Sequence, residues 1–145
     1  MTTMLHATCV AVSGHGVLLR APSGGGKSDL ALRLIDGGAL LVGDDYCAFT
    51  VRDGTLVAAP QAALAGLLEV RGVGIVRLPH AAEAAVRLIV DLVPGGPVER
   101  LPESSGAMLF GVPLPAVRLD PFEASAPAKV RLAVRLATGD IGSAA

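Results

Sequence analysis

The stretch Val17-Leu18-Leu19-Arg20-Ala21-Pro22-Ser23-Gly24-Gly25-Gly26-Lys27-Ser28, continued by Asp29-Leu30-Ala31-Leu32-Arg33-Leu34-Ile35-Asp36, decides the fold. Its first three residues are an apolar strand, and the glycine run ending in Gly-Lys-Ser is a turn. Within 29–36, Leu30, Ala31, Leu34 and Ile35 share one helical face, and Gly37-Gly38 form a natural stop. Strand, glycine-rich turn and helix in that order make a phosphate-binding loop. Successive backbone N–H groups and the helix N-terminus converge on phosphate oxygens. Ser23, Gly24, Gly25 and Gly26 line such a loop, Lys27 bridges the outer phosphates, and the Ser28 hydroxyl ligates Mg²⁺. The pattern's first glycine is replaced by Ala21, which Pro22 biases to extended backbone, where alanine is tolerated.

Composition supports the weight placed on Lys27. The chain has 145 residues with 12 Lys+Arg, of which ten are arginine and only Lys27 and Lys129 are lysine. A narrow phosphate loop takes a lysine point charge and not the broad guanidinium fork. A net charge of −1 excludes an electrostatic nucleic-acid binder or a polybasic membrane-surface protein. At 52% hydrophobic and 17% charged, the chain is a folded domain, and its 3% aromatics predict a core of small side chains. Cys9 and Cys47 lie in apolar stretches without metal-ligand spacing and read as buried free thiols of a reducing compartment. Residues 1–19 carry no charged side chain except histidine, but they lack a basic leader region and are interrupted by Ser13-Gly14-His15-Gly16. The expectation is a cytoplasmic protein with no membrane partner.

Outward from the loop, residues 4–12 are β-rich. Leu40–Val42 is a short strand expected to lie beside the phosphate-loop strand and to end at Asp44-Asp45. Ligands of wound sheets bind outside the carboxyl ends of strands, so two carboxylates there can divide labour. One serves the metal and the other the attacking nucleophile. Tyr46–Val51 and Thr55–Ala58 flank a hairpin turn at Arg52-Asp53-Gly54. Residues 61–66 read as a short helix or turn, and Glu69-Val70-Arg71-Gly72-Val73-Gly74 as an extended segment with Glu69 and Arg71 on one side. A strand over 85–93, a loop over 94–106, a strand pair near 107–119 and an amphipathic helix over 126–137, capped by Ser125, follow. Residues 138–145 are expected to fray. The whole chain, 1–145, reads as one α/β domain with a mixed sheet and few helices.

Three motifs in order make a more specific pattern: Ser23–Ser28, Leu41-Val42-Gly43-Asp44-Asp45, and Leu68-Glu69-Val70-Arg71-Gly72-Val73-Gly74-Ile75. Over about residues 4–101 the chain resembles the C-terminal catalytic domain of the HPr kinase/phosphorylases, in a short stand-alone form. That resemblance implies a phosphate-loop kinase fold shared with the PEP carboxykinase type. It also implies an ATP- and Mg²⁺-dependent serine kinase acting on HPr, the phosphocarrier of the sugar phosphotransferase system, and a homo-oligomer of the hexameric kind. By resemblance Asp45 is the base for the serine proton, Glu69 serves the metal beside Ser28, and Lys27 and Arg100 neutralise the transferring phosphoryl group; Asp44 is then the carboxylate of the pair that serves the metal. His6 stands at the position of the family's catalytic histidine, with Ala7 where a glycine is usual; it contacts the phosphates or orients Asp45. Asp120–Pro127 replaces the family's Pro-Gly-Arg-Asn stretch, which leaves phosphorolysis without its motif. Two other readings stay open: a kinase of the same fold with another protein or a small molecule as acceptor, and a nucleotide-binding sensor without catalysis.

Overall fold

A computed structural model describes residues 1–103 and 106–144. In chain order the elements are β1 (Thr2–His6), β2 (Thr8–Val12), β3 (His15–Arg20), α1 (Lys27–Asp36), β4 (Leu40–Gly43), β5 (Tyr46–Arg52) and β6 (Thr55–Pro60). A 3₁₀ turn (Ala62–Leu64), β7 (Leu67–Val70), β8 (Gly74–Arg77), β9 (Ala84–Leu92), β10 (Gly106–Leu109), β11 (Val112–Leu119) and α2 (Ala126–Ala137) follow. Nine strands form one mixed sheet ordered β1-β5-β6-β9-β3-β2-β4, with β11 on β9 and β10 on β11. The β7–β8 hairpin forms a separate two-stranded sheet.

The central strand β9 is almost uninterruptedly apolar because it is covered on both faces. One edge pairs in parallel with β3; on the other, Ala84 and Ala85 meet β6 and Ile89–Leu92 meet β11. Alternation along β3 sends Val17 and Leu19 to one core and Leu18 to the other. The first core holds both helices, through Leu30, Ala31 and Leu34 of α1 and Val130 and Val134 of α2. The second takes Phe49, Leu56, Val112 and Leu114. The mixed sheet with two helices is the expected α/β architecture.

Several local expectations are corrected. The 4–12 run is two strands, not one: chain pairing switches at the buried Ala7 from β5, with His6 opposite Tyr46, to β3, with Thr8 opposite Leu19. Strand β4 does not pair with β3. Antiparallel β2 lies between them, so β3 and β4 run the same way and end at the same edge. Arg71 stands in the turn after β7 and not on an extended segment beside Glu69. Helix α1 starts at Lys27, two residues earlier than expected. Ser125 precedes α2, but its backbone is already helical (φ −81°, ψ −2°) and its hydroxyl makes no capping bond. The turn at Asp53-Gly54 has φ of +50° and +77°, the geometry that suits a two-residue hairpin. After α2, Asp140 N–H donates to Arg135 O (2.9 Å) and its carboxylate accepts from Arg135 Nε (2.7 Å). The 94–106 loop and the tail each fall partly outside the described residues, at 104, 105 and 145.

Candidate active site

The glycine-rich loop leaves the end of β3 and closes on itself by a turn, Gly25 N–H donating to Pro22 O (2.8 Å). Two glycines are needed for different reasons. A Cβ on Gly25 would lie 2.6 Å from Ala21 Cβ, so this position is closed by space. Gly26 has φ +91°, which an L side chain reaches only with strain, and it stands as N-cap of α1. Ala21 has no positive φ, which is why the missing glycine leaves the loop intact. Lys27 is 6% exposed, and its Nζ donates to Ala21 O (3.3 Å) across the loop. Beneath the loop, Arg20 holds Asp91 of β9 by two bonds of 2.8 and 3.1 Å.

Because β3 and β4 end at one edge and β2 begins there, three segments converge beside the loop. Ser28 Oγ donates to Asp44 Oδ1 at 2.7 Å, and Thr8 Oγ1 donates to the same oxygen at 3.2 Å. Thr8 Oγ1 in turn accepts the Asp45 N–H (3.3 Å). Asp45 is the centre of a three-residue turn, closed by Tyr46 N–H to Asp44 O (2.8 Å), with φ +67°. Backbone strain of this kind concentrates at functional sites. The turn separates the two carboxylates: Asp44 is engaged by Ser28 and Thr8, whereas Asp45 is exposed and bonds to His6 Nε2 (3.0 Å). The His6 ring lies 5.1 Å from that of Tyr46.

Of the residues expected from sequence, the structure brings together Ser23–Ser28, Asp44, Asp45 and His6. Strand β7, which carries Glu69, packs against α1, but no side-chain hydrogen bond or ion pair ties Glu69 or Arg100 to this group among the described residues. Glu69 is exposed on β7, where its backbone pairs opposite Ile75 of β8, and Arg100 is exposed in the segment after β9. Thr8 and Tyr46 escaped the sequence reading. A threonine inside an otherwise apolar strand, and the chain's single tyrosine directly after Asp45, were the available signals. Among the described residues no three His, Cys, Asp or Glu side chains gather into a metal cage. Magnesium does not require one, since it binds through one or two carboxylates together with substrate phosphates and water. Ser28 and Asp44, in contact at the N-terminus of α1, fit that mode.

Burial pushes the Cys9 thiol well above its ordinary range, reinforced by the neighbouring Cys47, and burial likewise pushes Cys47 from 9.0 up to about 12. Both are free and buried, in line with the sequence reading. No helix among the described residues is long and apolar enough to cross a membrane.

Fold and strand-edge geometry define an α/β domain of the phosphate-loop kinase type. Residues 1–93 match the family model of the HPr Serine kinase C-terminal domain, and the chain belongs to that family. An HPr kinase/phosphorylase of Clostridium botulinum (strain Eklund 17B / Type B) is 46% identical over 74 residues, covering 51% of this chain and 24% of that protein. One from Streptococcus thermophilus (strain CNRZ 1066) is 45% identical over 75 residues, with the same coverage. The chain thus matches about a quarter of the length of these relatives. The structure of the Hpr(Ser) kinase/phosphatase from Coxiella burnetii aligns with TM-score 0.82 over 95% of this chain and 97% of that chain, at 23% identity, which shows a shared fold. The family match includes His6, the phosphate-binding loop, Asp44, Asp45 and Glu69, and ends before Arg100.

Proposed function

We propose that the chain is an ATP- and Mg²⁺-dependent protein serine kinase whose acceptor is HPr, acting in the cytoplasm in regulation of the phosphotransferase system. The observation that carries this reading is the pair of bonds Ser28–Asp44 (2.7 Å) and His6–Asp45 (3.0 Å) at one strand edge. A binding module needs the first. The second places a carboxylate, bonded to a histidine and held outside the phosphate loop, where it can accept a proton, which nucleotide binding does not require.

In this reading the loop amides of 23–28 and Lys27 hold the nucleotide's phosphates. Lys27 exchanges its bond to Ala21 O for phosphate oxygens. Ser28 and Asp44 would hold Mg²⁺, which when bound offsets the phosphates' charge. Asp45 Oδ accepts the proton of the acceptor serine as its oxygen forms the new bond to phosphorus and the bond to ADP breaks; the proton then passes to solvent. His6 fixes the carboxylate during that transfer, and positioning and electrostatics supply most of the catalysis. Glu69 as a further metal ligand, Arg100 as a phosphoryl clamp and a homo-oligomeric state enter through the family resemblance.

The test is incubation of the purified chain with MgATP and HPr, read by mass spectrometry of HPr. Phosphoserine is expected with wild type and is expected to be absent with Lys27→Ala. An unmodified HPr in the wild-type reaction contradicts the proposal.

A further inference from the structure

Beyond the phosphate site, the turn after β11 carries an exposed aromatic ring, Phe122. Strand β11 is parallel to β9, and β9 to β3, so the turn at 120–125 and the phosphate-binding loop leave the same sheet edge. They touch. A Cβ on Gly26 would lie 3.0 Å from Pro121 Cγ and 3.3 Å from Phe122 Cε1, so the ring lies against the last glycine of the loop.

Three side chains hold that turn in place. Arg33 of α1 donates to Pro121 O and to Glu123 O (3.2 Å) while its Nε is held by Asp29 (3.1 Å). Asp120 Oδ1 accepts the Phe122 N–H (3.0 Å), and Lys129 Nζ reaches Glu123 (3.2 Å). Pro121 is buried, yet the next residue, Phe122, is 59% exposed. The chain has four Phe and Tyr rings. Phe49 pairs with Phe110 (5.9 Å) and Tyr46 stands on His6, whereas Phe122 has no ring partner among the described residues. A ring held on a braced turn loses little entropy on meeting a flat ligand.

We infer that Phe122 is the stacking platform for the base of the nucleotide whose phosphates occupy residues 23–28, with Arg33 as the residue that positions it. This rests on the nucleotide reading above and adds to it a recognition element for the nucleoside end. A stacking face accepts any base, so the platform separates nucleoside triphosphates from bare polyphosphate and does not choose among bases.

Calorimetric binding of ATP and of inorganic tripolyphosphate to wild type, Phe122→Ala and Phe122→Tyr tests it, with magnesium present throughout. Expected is a loss of ATP affinity of about tenfold or more in Phe122→Ala. Tripolyphosphate affinity should stay unchanged, and ATP binding should recover in Phe122→Tyr. Equal ATP affinity in wild type and Phe122→Ala overturns the inference while leaving the phosphate site standing. An equal loss for both ligands also overturns it, since Phe122 then orders the loop and does not meet the base. If wild type binds neither ligand, the phosphate-site reading itself fails and takes this inference with it.

Discussion

His6 Nε2 and Asp45 Oδ1 are 3.0 Å apart although 39 residues separate them, because β1 pairs with β5 in a register that sets His6 opposite Tyr46. The imidazole therefore orients the exposed carboxylate of a residue already held by its own turn. His6→Ala is expected to leave ATP affinity as it is and to lower the transfer rate roughly 10²-fold. Steady-state kinetics with HPr at saturating ATP check this: kcat should fall with little change in KM for ATP.

Thr8 is fully buried, and its hydroxyl serves both acidic residues, donating to Asp44 Oδ1 and accepting from Asp45 N–H. Thr8→Val keeps the volume and leaves a backbone donor and a carboxylate without that partner, costing about 1–3 kcal/mol. Thr8→Ser keeps the hydroxyl and should retain most of the stability. Urea unfolding of the two variants separates the hydroxyl from the methyl.

Asp45 holds φ at +67°. Asp45→Gly removes that strain and is expected to raise stability by roughly 0.5–1 kcal/mol while abolishing phosphoryl transfer. Such a pairing of gain and loss marks strain kept for function and not for folding. Thermal unfolding and the transfer assay on one preparation read both.

The strand, glycine-rich turn and helix were legible because every part is local: an apolar strand, glycines, Lys27-Ser28 and an amphipathic helix occupy consecutive positions. Asp44-Asp45 was legible as a pair at a strand end, and the short strand before it was placed at the correct sheet edge. Its neighbour was not. Whether β2 or β3 lies beside β4 depends on how the chain folds back at Ser13-Gly14, and apolar patterns on all three strands satisfy either order. Thr8 was hidden for the same reason, since the pairing switch at Ala7 has no local signature in an alanine- and valine-rich run. Arg71 was misplaced because a four-residue strand followed by a glycine turn has the same alternation as a longer one. The contact of Pro121 and Phe122 with Gly26 joins residues about a hundred apart, beyond any periodicity.

The two thiols give a pH prediction. Burial raises the Cys47 pKa from 9.0 to about 12, with Cys9 shifted the same way, so the native state keeps protons that the unfolded state releases. Their contribution to stability is complete below pH 9 and is lost as pH rises from there toward 12. Cys47→Ala should flatten that alkaline loss. A thiol reagent at pH 8 should find neither cysteine until the protein is unfolded.

The division of labour between Asp44 and Asp45 is tested most directly by the phosphoryl transfer rate of Asp45→Asn onto HPr at saturating MgATP. The substitution keeps shape and turn, and Asp44 retains Ser28 and Thr8. The account predicts a fall of roughly 10²- to 10⁴-fold. Transfer at the wild-type rate would contradict the assignment of Asp45 as the base.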